Sequence, residues 1–294
     1  MESQRTYDYV IARRNMLAEV FGAYLWSCTT KSEHIFTDPD VKMTDANLKL
    51  ITGKSVLIVG GYYRDNMAPI INAAADVTVF YNASDDVISH DGYTVVRGTS
   101  TSGFLSWTVN KLNVTLPYVC RMADLLDQYL YGWPTEEALC FQNGIYTIDK
   151  PDDLGKLLSV LSDADIDAII VAGRTKRIAN KRIADERVKK SSVYTFNVNG
   201  TKYRAAISIG DSPIVDTCIA LAVQTGIGIL LRYDLAAEKT FMSIRTTRES
   251  GIDAGKLAGD LVGGGGSMSM GGGQIGGLHF PDAIVDRLSE PKWH

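Results

Sequence analysis

Two short apolar runs and the segment between them constrain this chain more than any other feature. Lys54–Val59 (KSVLIV) ends in Gly60-Gly61, and Val77–Phe80 (VTVF) follows after the small-residue segment Asn66–Ala75. An unbroken apolar run closed by glycine reads as a strand buried on both faces. A helical segment between two such strands, with short connections, is a βαβ unit, and its strands must lie parallel in one sheet. Such a sheet needs helices on both faces, so the expected class is α/β with a Rossmann-like parallel sheet. Tyr7–Ala12 supplies a further strand, and Met16–Ser27, Thr101–Leu112 and Tyr118–Tyr131 supply helices.

The second half has a different texture. Asp163–Val188 reads as a strand, a turn at Gly173 and then a charged segment. Ser192–Asn197 and Lys202–Ile209 flank Asn199-Gly200, and that dipeptide between alternating runs signals a hairpin. Pro213–Gln224 and Ile252–Leu261 read as helices, and Ile227–Leu235 and Thr240–Thr246 as strands. With 294 residues, about two domains are expected. Pro134 and the polar stretch to Asp153 mark the edge. The expected division is a first domain over 1–135, a linker and connecting helix region over 136–190, and a smaller mixed α/β domain over 191–294.

Several function classes are excluded at this level. Thirty basic against 34 acidic residues give a net charge of −4, so no global excess points to nucleic acid. Cys28, Cys120, Cys140 and Cys218 lie far apart, and His34, His90, His279 and His294 are equally scattered. That spacing argues against a zinc site or a disulfide framework and fits a reducing compartment. The N-terminal stretch MESQRTYDYVIARRN carries charges throughout, and the longest apolar run, Cys218–Leu231, is too short for a bilayer, which needs about 20 residues. The expectation is a cytoplasmic protein without a membrane partner. The N-x-[ST] triplets at Asn82, Asn113 and Asn199 are then chance matches.

Four features are candidates for chemistry. GGYYRDNM after the second strand lacks the G-x-G-x-x-G spacing of a dinucleotide fingerprint and reads as a turn. Twelve of the 27 glycines fall between Gly251 and Gly277, in GIDAGKLAGDLVGGGGSMSMGGGQIGG. Successive glycines let backbone N–H groups converge on an anion, but the same run can simply turn the chain. Arg174–Lys190 (RTKRIANKRIADERVKK) holds eight basic residues against two acidic, either a grip on a nucleic-acid backbone or a solvated helix face. The carboxylates Asp38, Asp40, Asp85, Asp86, Asp124 and Asp127 form no catalytic triad or multi-carboxylate pattern and read as surface groups.

Taken in order, short stretches along nearly the whole chain point to one family. Glu19–Ala23 (EVFGA) is similar to D-G-F-G-A, Val56–Tyr63 (VLIVGGYY) to VYIVDFSY, and Val77–Ala83 (VTVFYNA) to VTVIDHH. Thr101–Trp107 (TSGFLSW) matches the helix start that follows, and Pro117–Trp133 resembles P-x-V-x-x-x-x-D-R-D-L-W. Ser243–Thr246 (SIRT) resembles S-L-R-S, and Val262–Ser267 (VGGGGS) resembles F-G-G-G-G-H. Together they resemble the DHH phosphoesterase superfamily, notably its exopolyphosphatase-like and oligonucleotide-phosphodiesterase-like members with a DHH-associated C-terminal domain.

The resemblance implies a site and shows it altered. In the family, carboxylates and histidines hold two divalent metals, usually manganese, which generate hydroxide and stabilise displaced phosphate oxygens. Here those positions fall at Arg14, Glu19, Gly60, Tyr81, Asn82 and Ala83, with the fourth aspartate at Asp124 or Leu125 and the C-terminal histidine at Ser267. Glycine and alanine offer no donor atom, and an arginine repels a cation, so the expectation is a fold kept and a metal site lost, with no cofactor and no catalytic residue. What remains is Arg245, which resembles the family's substrate-phosphate arginine, with Gly263, Gly264, Gly265, Gly266 and Ser267. A guanidinium and a backbone nest bind phosphate without hydrolysing it. The leading expectation is a phosphoesterase-like protein that binds a nucleotide, single-stranded oligonucleotide or other phosphate ligand between its domains, or serves as an assembly subunit, as a homo-oligomer for instance. The alternatives are an active phosphoesterase with a rebuilt site, and an interaction protein without a small ligand. In the latter case Arg245 pairs with Glu249 or Asp253.

Overall fold

The computed structural model describes residues 6–13, 17–37, 43–59, 64–81, 92–98, 103–131, 133–145, 147, 162–198 and 200–289. The chain divides into two compact units, 1–172 and 173–294.

The first unit is a five-stranded parallel sheet. Its strands are β1 (Tyr9–Arg13), β2 (Glu33–Thr37), β3 (Ser55–Val59), β4 (Asp76–Tyr81) and β5 (Thr94–Arg97), in the order β2-β1-β3-β4-β5. Strand alternation sorts the side chains into two layers. Val10, Ala12, Leu57, Val59 and Phe80 pack against α1 (Leu17–Thr30), α4 (Phe104–Lys111), α5 (Pro117–Tyr131) and α6 (Glu136–Ile145). Tyr9, Ile11, Val56, Ile58, Val77, Val79 and Tyr81 pack on the opposite face against α2 (Asp45–Ile51) and α3 (Arg64–Ala73). The expected α/β class and the βαβ unit at its centre are therefore present. The strands β2 and β5 and the helices α2 and α6 go beyond what the periodicity suggested. Helix α6 lies past the edge expected near Pro134, yet it buries Ala138, Cys140, Phe141 and Ile145 in the core of the first unit.

The strand and turn expected over Asp163–Val188 are corrected to a single helix, α7 (Asp163–Lys189). Ser162 starts it. Its backbone N–H donates to Asp165 Oδ2 at 2.9 Å, and the Asp165 N–H donates to Ser162 Oγ at 3.3 Å, a reciprocal cap. Ile166, Ile169 and Ile170, at helical spacing, enter the core of the first unit. The boundary between units, at 172/173, falls inside this helix.

The second unit is a mixed sheet of β6 (Ser192–Val198), β7 (Thr201–Ile209), β8 (Ile227–Asp234), β9 (Lys239–Thr246), β10 (Gly265–Gly266) and β11 (Met270–Gly276), ordered β10-β11-β9-β8-β7-β6. Strands β6 and β7 pair antiparallel, Val198 opposite Thr201, as the expected hairpin. Helix α8 (Ile214–Thr225) crosses from β7 to the parallel strand β8. Helices α9 (Ala254–Val262) and α10 (Pro281–Ser289) cover the other face, where Ile207, Ile229, Met242, Ile244, Leu257 and Leu261 form the core. No helix among the described residues is long and apolar enough to cross a membrane.

Candidate functional site

The strand order 2-1-3-4-5 places a topological switch point between β1 and β3, and open α/β sheets bind ligands outside the carboxyl ends of the strands at that point. Arg13 ends β1 there, and Glu19 sits in the first turn of α1. Glu19 is completely buried, and its carboxylate is taken by Arg13. The Arg13 backbone N–H donates to Oε2 at 3.0 Å, Nε donates to Oε1 at 2.9 Å and to Oε2 at 3.0 Å, and Nη2 closes on Oε1. A guanidinium therefore lies against the carboxylate that the resemblance assigns to a metal.

Tyr81 ends β4, fully buried in the α2/α3 layer, a ring at the position where the resemblance implies a metal-binding aspartate. Asp124 is exposed on α5, and its Oδ2 accepts Gln128 Nε2 at 2.7 Å. These residues do not fit a dinuclear centre: one carboxylate is neutralised, one position is aromatic and one faces solvent. Among the described residues no three His, Cys, Asp or Glu side chains come together to hold a metal. Arg14, Gly60, Asn82 and Ala83, with Asp38, Asp40, Asp85, Asp86 and His90, lie outside the described residues.

The buried carboxylate of α5 is instead Asp127, read from sequence as a surface group. Its Oδ2 accepts the backbone N–H groups of Gly103 at 3.1 Å and Ser106 at 2.8 Å, capping the first turn of α4. Burial pushes its pKa up to about 6, against the lowering effect of these hydrogen bonds. The signal available was helix spacing: Asp127 lies four positions after the buried Ala123, on the apolar side of α5, whereas Asp124 is followed at the same spacing by the polar Gln128.

In the second unit, Arg245 stands on the central strand β9, between Gly228 of β8 and Met270 of β11. Ile244 and Thr246 turn into the core, so Arg245 is on the α8 side, half-buried. Its Nη1 donates to the Ile244 carbonyl at 3.1 Å, and among the described residues it has no carboxylate partner. Asp253 caps α9 through the Lys256 N–H at 2.9 Å rather than pairing with Arg245. On the same side Cys218 of α8 is buried, which pushes its pKa up to about 12 and removes it as a nucleophile.

The glycine loop wraps the start of α9. The N–H groups of Ala254 and Gly255 donate to the carbonyls of Met268 (3.0 Å) and Ser267 (2.9 Å). Gly263 N–H reaches Gly259, Gly264 N–H reaches Ala258, and Ser267 N–H reaches the Met270 carbonyl at 2.7 Å. Three of the five backbone donors expected to face an anion are thus held internally. Gly265 and Gly266 form the edge strand β10 opposite Gly272 and Gly271, and an antiparallel pair bonds only alternate residues, so one of the two keeps an outward N–H. The Ser267 hydroxyl is buried and has no partner among the described residues.

A cavity of about 290 Å³ bordered by Tyr7, Asp8, Tyr9, Lys31, Glu33 and Lys54 lies at the amino ends of β1, β2 and β3, the end opposite the switch-point crevice.

No family model matches the chain, and no curated protein matches it. Solved structures do. An exopolyphosphatase-related protein from Bacteroides fragilis is 12% identical, with a TM-score of 0.51 over 96% of this chain and 90% of its own. A pGpG-specific phosphodiesterase, PggH, from Vibrio cholerae is 16% identical, with a TM-score of 0.50 over 91% of this chain and 93% of its own. The chain therefore has a phosphoesterase-like fold, the one the DHH resemblance implies.

Proposed function

We propose that this chain is a phosphate-ligand-binding relative of the DHH phosphoesterases in which the dinuclear metal site has been given up, a pseudoenzyme that binds a nucleotide, a single-stranded oligonucleotide or another phosphate ligand. The observation that carries the reading is Arg245: a guanidinium on a central strand, half-buried, with no carboxylate partner among the described residues. A desolvated guanidinium is costly unless an anion meets it, and phosphate matches its fork. The Ser267 hydroxyl and the edge of the glycine loop supply further polar atoms in the same unit. The pair Arg13–Glu19 supports the loss of metal chemistry, because a cation entering there must first displace a guanidinium. The two solved neighbours carry names from phosphate-ester chemistry, which agrees with a phosphate ligand.

Calorimetric titration with AMP, and separately with Mn²⁺, tests this. Binding of AMP that weakens roughly 10- to 100-fold in Arg245→Ala is expected, the factor implied by charge-assisted hydrogen bonds of about 1.5–3 kcal/mol. Two tightly held manganese ions per chain, or oligonucleotide turnover abolished in Glu19→Ala, would transfer the reading to an active phosphoesterase.

A further inference from the structure

The second half of α7 is not used by the Arg245 site. Residues 174–190 carry eight basic and two acidic side chains in a chain whose net charge is −4, so positive charge is concentrated on this helix. The structure sorts these cations. Arg177 is held by Asp216 at 2.6 Å, Lys189 by Glu186 at 2.6 Å, and Arg187 donates to Thr217 Oγ1 at 3.4 Å. Arg174, Lys181 and Arg182 are all exposed, and none has a carboxylate ion pair among the described residues; Lys176 and Lys190 have none either, but their positions fall on another side of the helix. The spacing of Arg174, Lys181 and Arg182, with Ile178 between them, follows the i, i+4, i+7, i+8 rule, so they share one helix face. Ile178 on that face is 58% exposed. Asp185, one turn further on, is the carboxylate that ends the stripe.

We infer that this face of α7 binds the phosphodiester backbone of a single-stranded nucleic acid. A row of unpaired cations on a rigid helix neutralises successive phosphates and releases their counterions, and a lone aliphatic between them gives a base or sugar an apolar contact. A membrane surface fits less well, because interfacial helices present a broad apolar face with aromatic or leucine anchors, whereas this helix has no aromatic or leucine residue and its stripe carries only the exposed aliphatics Val171 and Ile178. The inference goes beyond the Arg245 reading and does not need it.

The test is fluorescence anisotropy with a labelled 12-nucleotide single-stranded RNA across a salt series, comparing the full chain with Arg174→Gln/Lys181→Gln/Arg182→Gln. Glutamine keeps helix propensity, and far-ultraviolet circular dichroism verifies folding. The expected result is at least a tenfold loss of affinity at low salt and a log–log salt slope shallower by about 2, at about 0.7 for each cation removed. AMP affinity in the triple variant should be unchanged; loss of AMP binding belongs to Arg245→Ala, so the two readings fail separately. An unchanged slope and affinity in the triple variant would overturn the inference. So would wild-type protein that sediments with phosphatidylserine vesicles while ignoring the RNA.

Discussion

Arg13 and Glu19 face each other across the connection from β1 to α1, and the carboxylate receives the arginine's backbone N–H as well as its side chain. With Glu19 fully buried and the Arg13 side chain 22% exposed, neither charge has water as an alternative partner of equal quality. Removing one member takes this counter-charge from the other. Arg13→Ala is expected to lower unfolding free energy by about 3–5 kcal/mol, the range for breaking a buried pair. Replacing both by apolar residues of similar size should recover much of that loss. A urea-denaturation double-mutant cycle measures both effects, and strictly additive losses would show that the two charges do not depend on each other.

A second carboxylate links pH to stability. Asp127 has a folded-state pKa of about 6 against an ordinary value of 3.8, because burial disfavours its charge. Folding therefore favours the protonated form. The stabilisation is complete below pH 3.8 and disappears as pH rises through about 6. A shift of about two units corresponds to about 3 kcal/mol at most. Asp127→Asn keeps an acceptor for the Gly103 and Ser106 N–H groups without the charge. The variant should be at least as stable as wild type at about pH 8, and should lose the pH dependence between about 4 and 7. Chemical denaturation across that pH range reads this, and parallel curves for both proteins would contradict it.

Asp216 opens α8 and is almost fully buried, held by Arg177 Nη1 at 2.6 Å and by Asn180 Nδ2 at 2.9 Å. Both donors come from α7, so this carboxylate ties the helix to the second unit. Arg177→Ala should cost about 3 kcal/mol or more by leaving a buried carboxylate with one neutral donor. The exposed pair Lys189–Glu186 provides the contrast, because solvent screening leaves such pairs worth about 0–1 kcal/mol. Equal thermal shifts for Arg177→Ala and Lys189→Ala would refute the distinction.

What was legible in the sequence follows the strength of local signals. The strands β3 and β4 and the helix between them announce themselves through unbroken apolar runs and glycine punctuation, and the β6–β7 hairpin through Asn199-Gly200. The start of α7 misleads because Ile169, Ile170 and Val171 are β-branched neighbours, a strand signature. The reciprocal cap between Ser162 and Asp165 was the local signal pointing the other way. Strand β2 escapes notice because Glu33 and His34 interrupt its apolar pattern. At the candidate site, residue identities aligned with a family motif said which ligands were altered. They did not say that Arg13, rather than solvent, would face Glu19, since that contact depends on how α1 packs on the sheet. Nor did they choose Asp127 over Asp124 as the buried carboxylate.

The glycine run separates into residues that fold the chain and residues left for a ligand, and substitution should divide them. Gly263 ends α9 with φ +65°, a left-handed cap that an L side chain adopts only with strain. At Gly255 a Cβ would lie 2.6 Å from the Gly266 carbonyl carbon and oxygen, where only backbone is present to move. Gly255→Ala should therefore destabilise the protein by about 1–3 kcal/mol or more, the cost of overpacking. Gly263→Ala should cost about 1 kcal/mol. Gly265 differs from both: a Cβ there meets nothing within 4 Å. Gly265→Ala should leave the melting temperature unchanged while adding a methyl group to the exposed edge strand β10. If the loop receives the same anion as Arg245, that methyl blocks close backbone approach, and AMP affinity should fall severalfold in a fully folded protein. Differential scanning fluorimetry and AMP titration on the three variants give the comparison. A Gly265→Ala protein with wild-type stability and wild-type affinity would leave Arg245 to bind without the loop, and would assign the whole glycine run to the packing of α9 against β10 and β11.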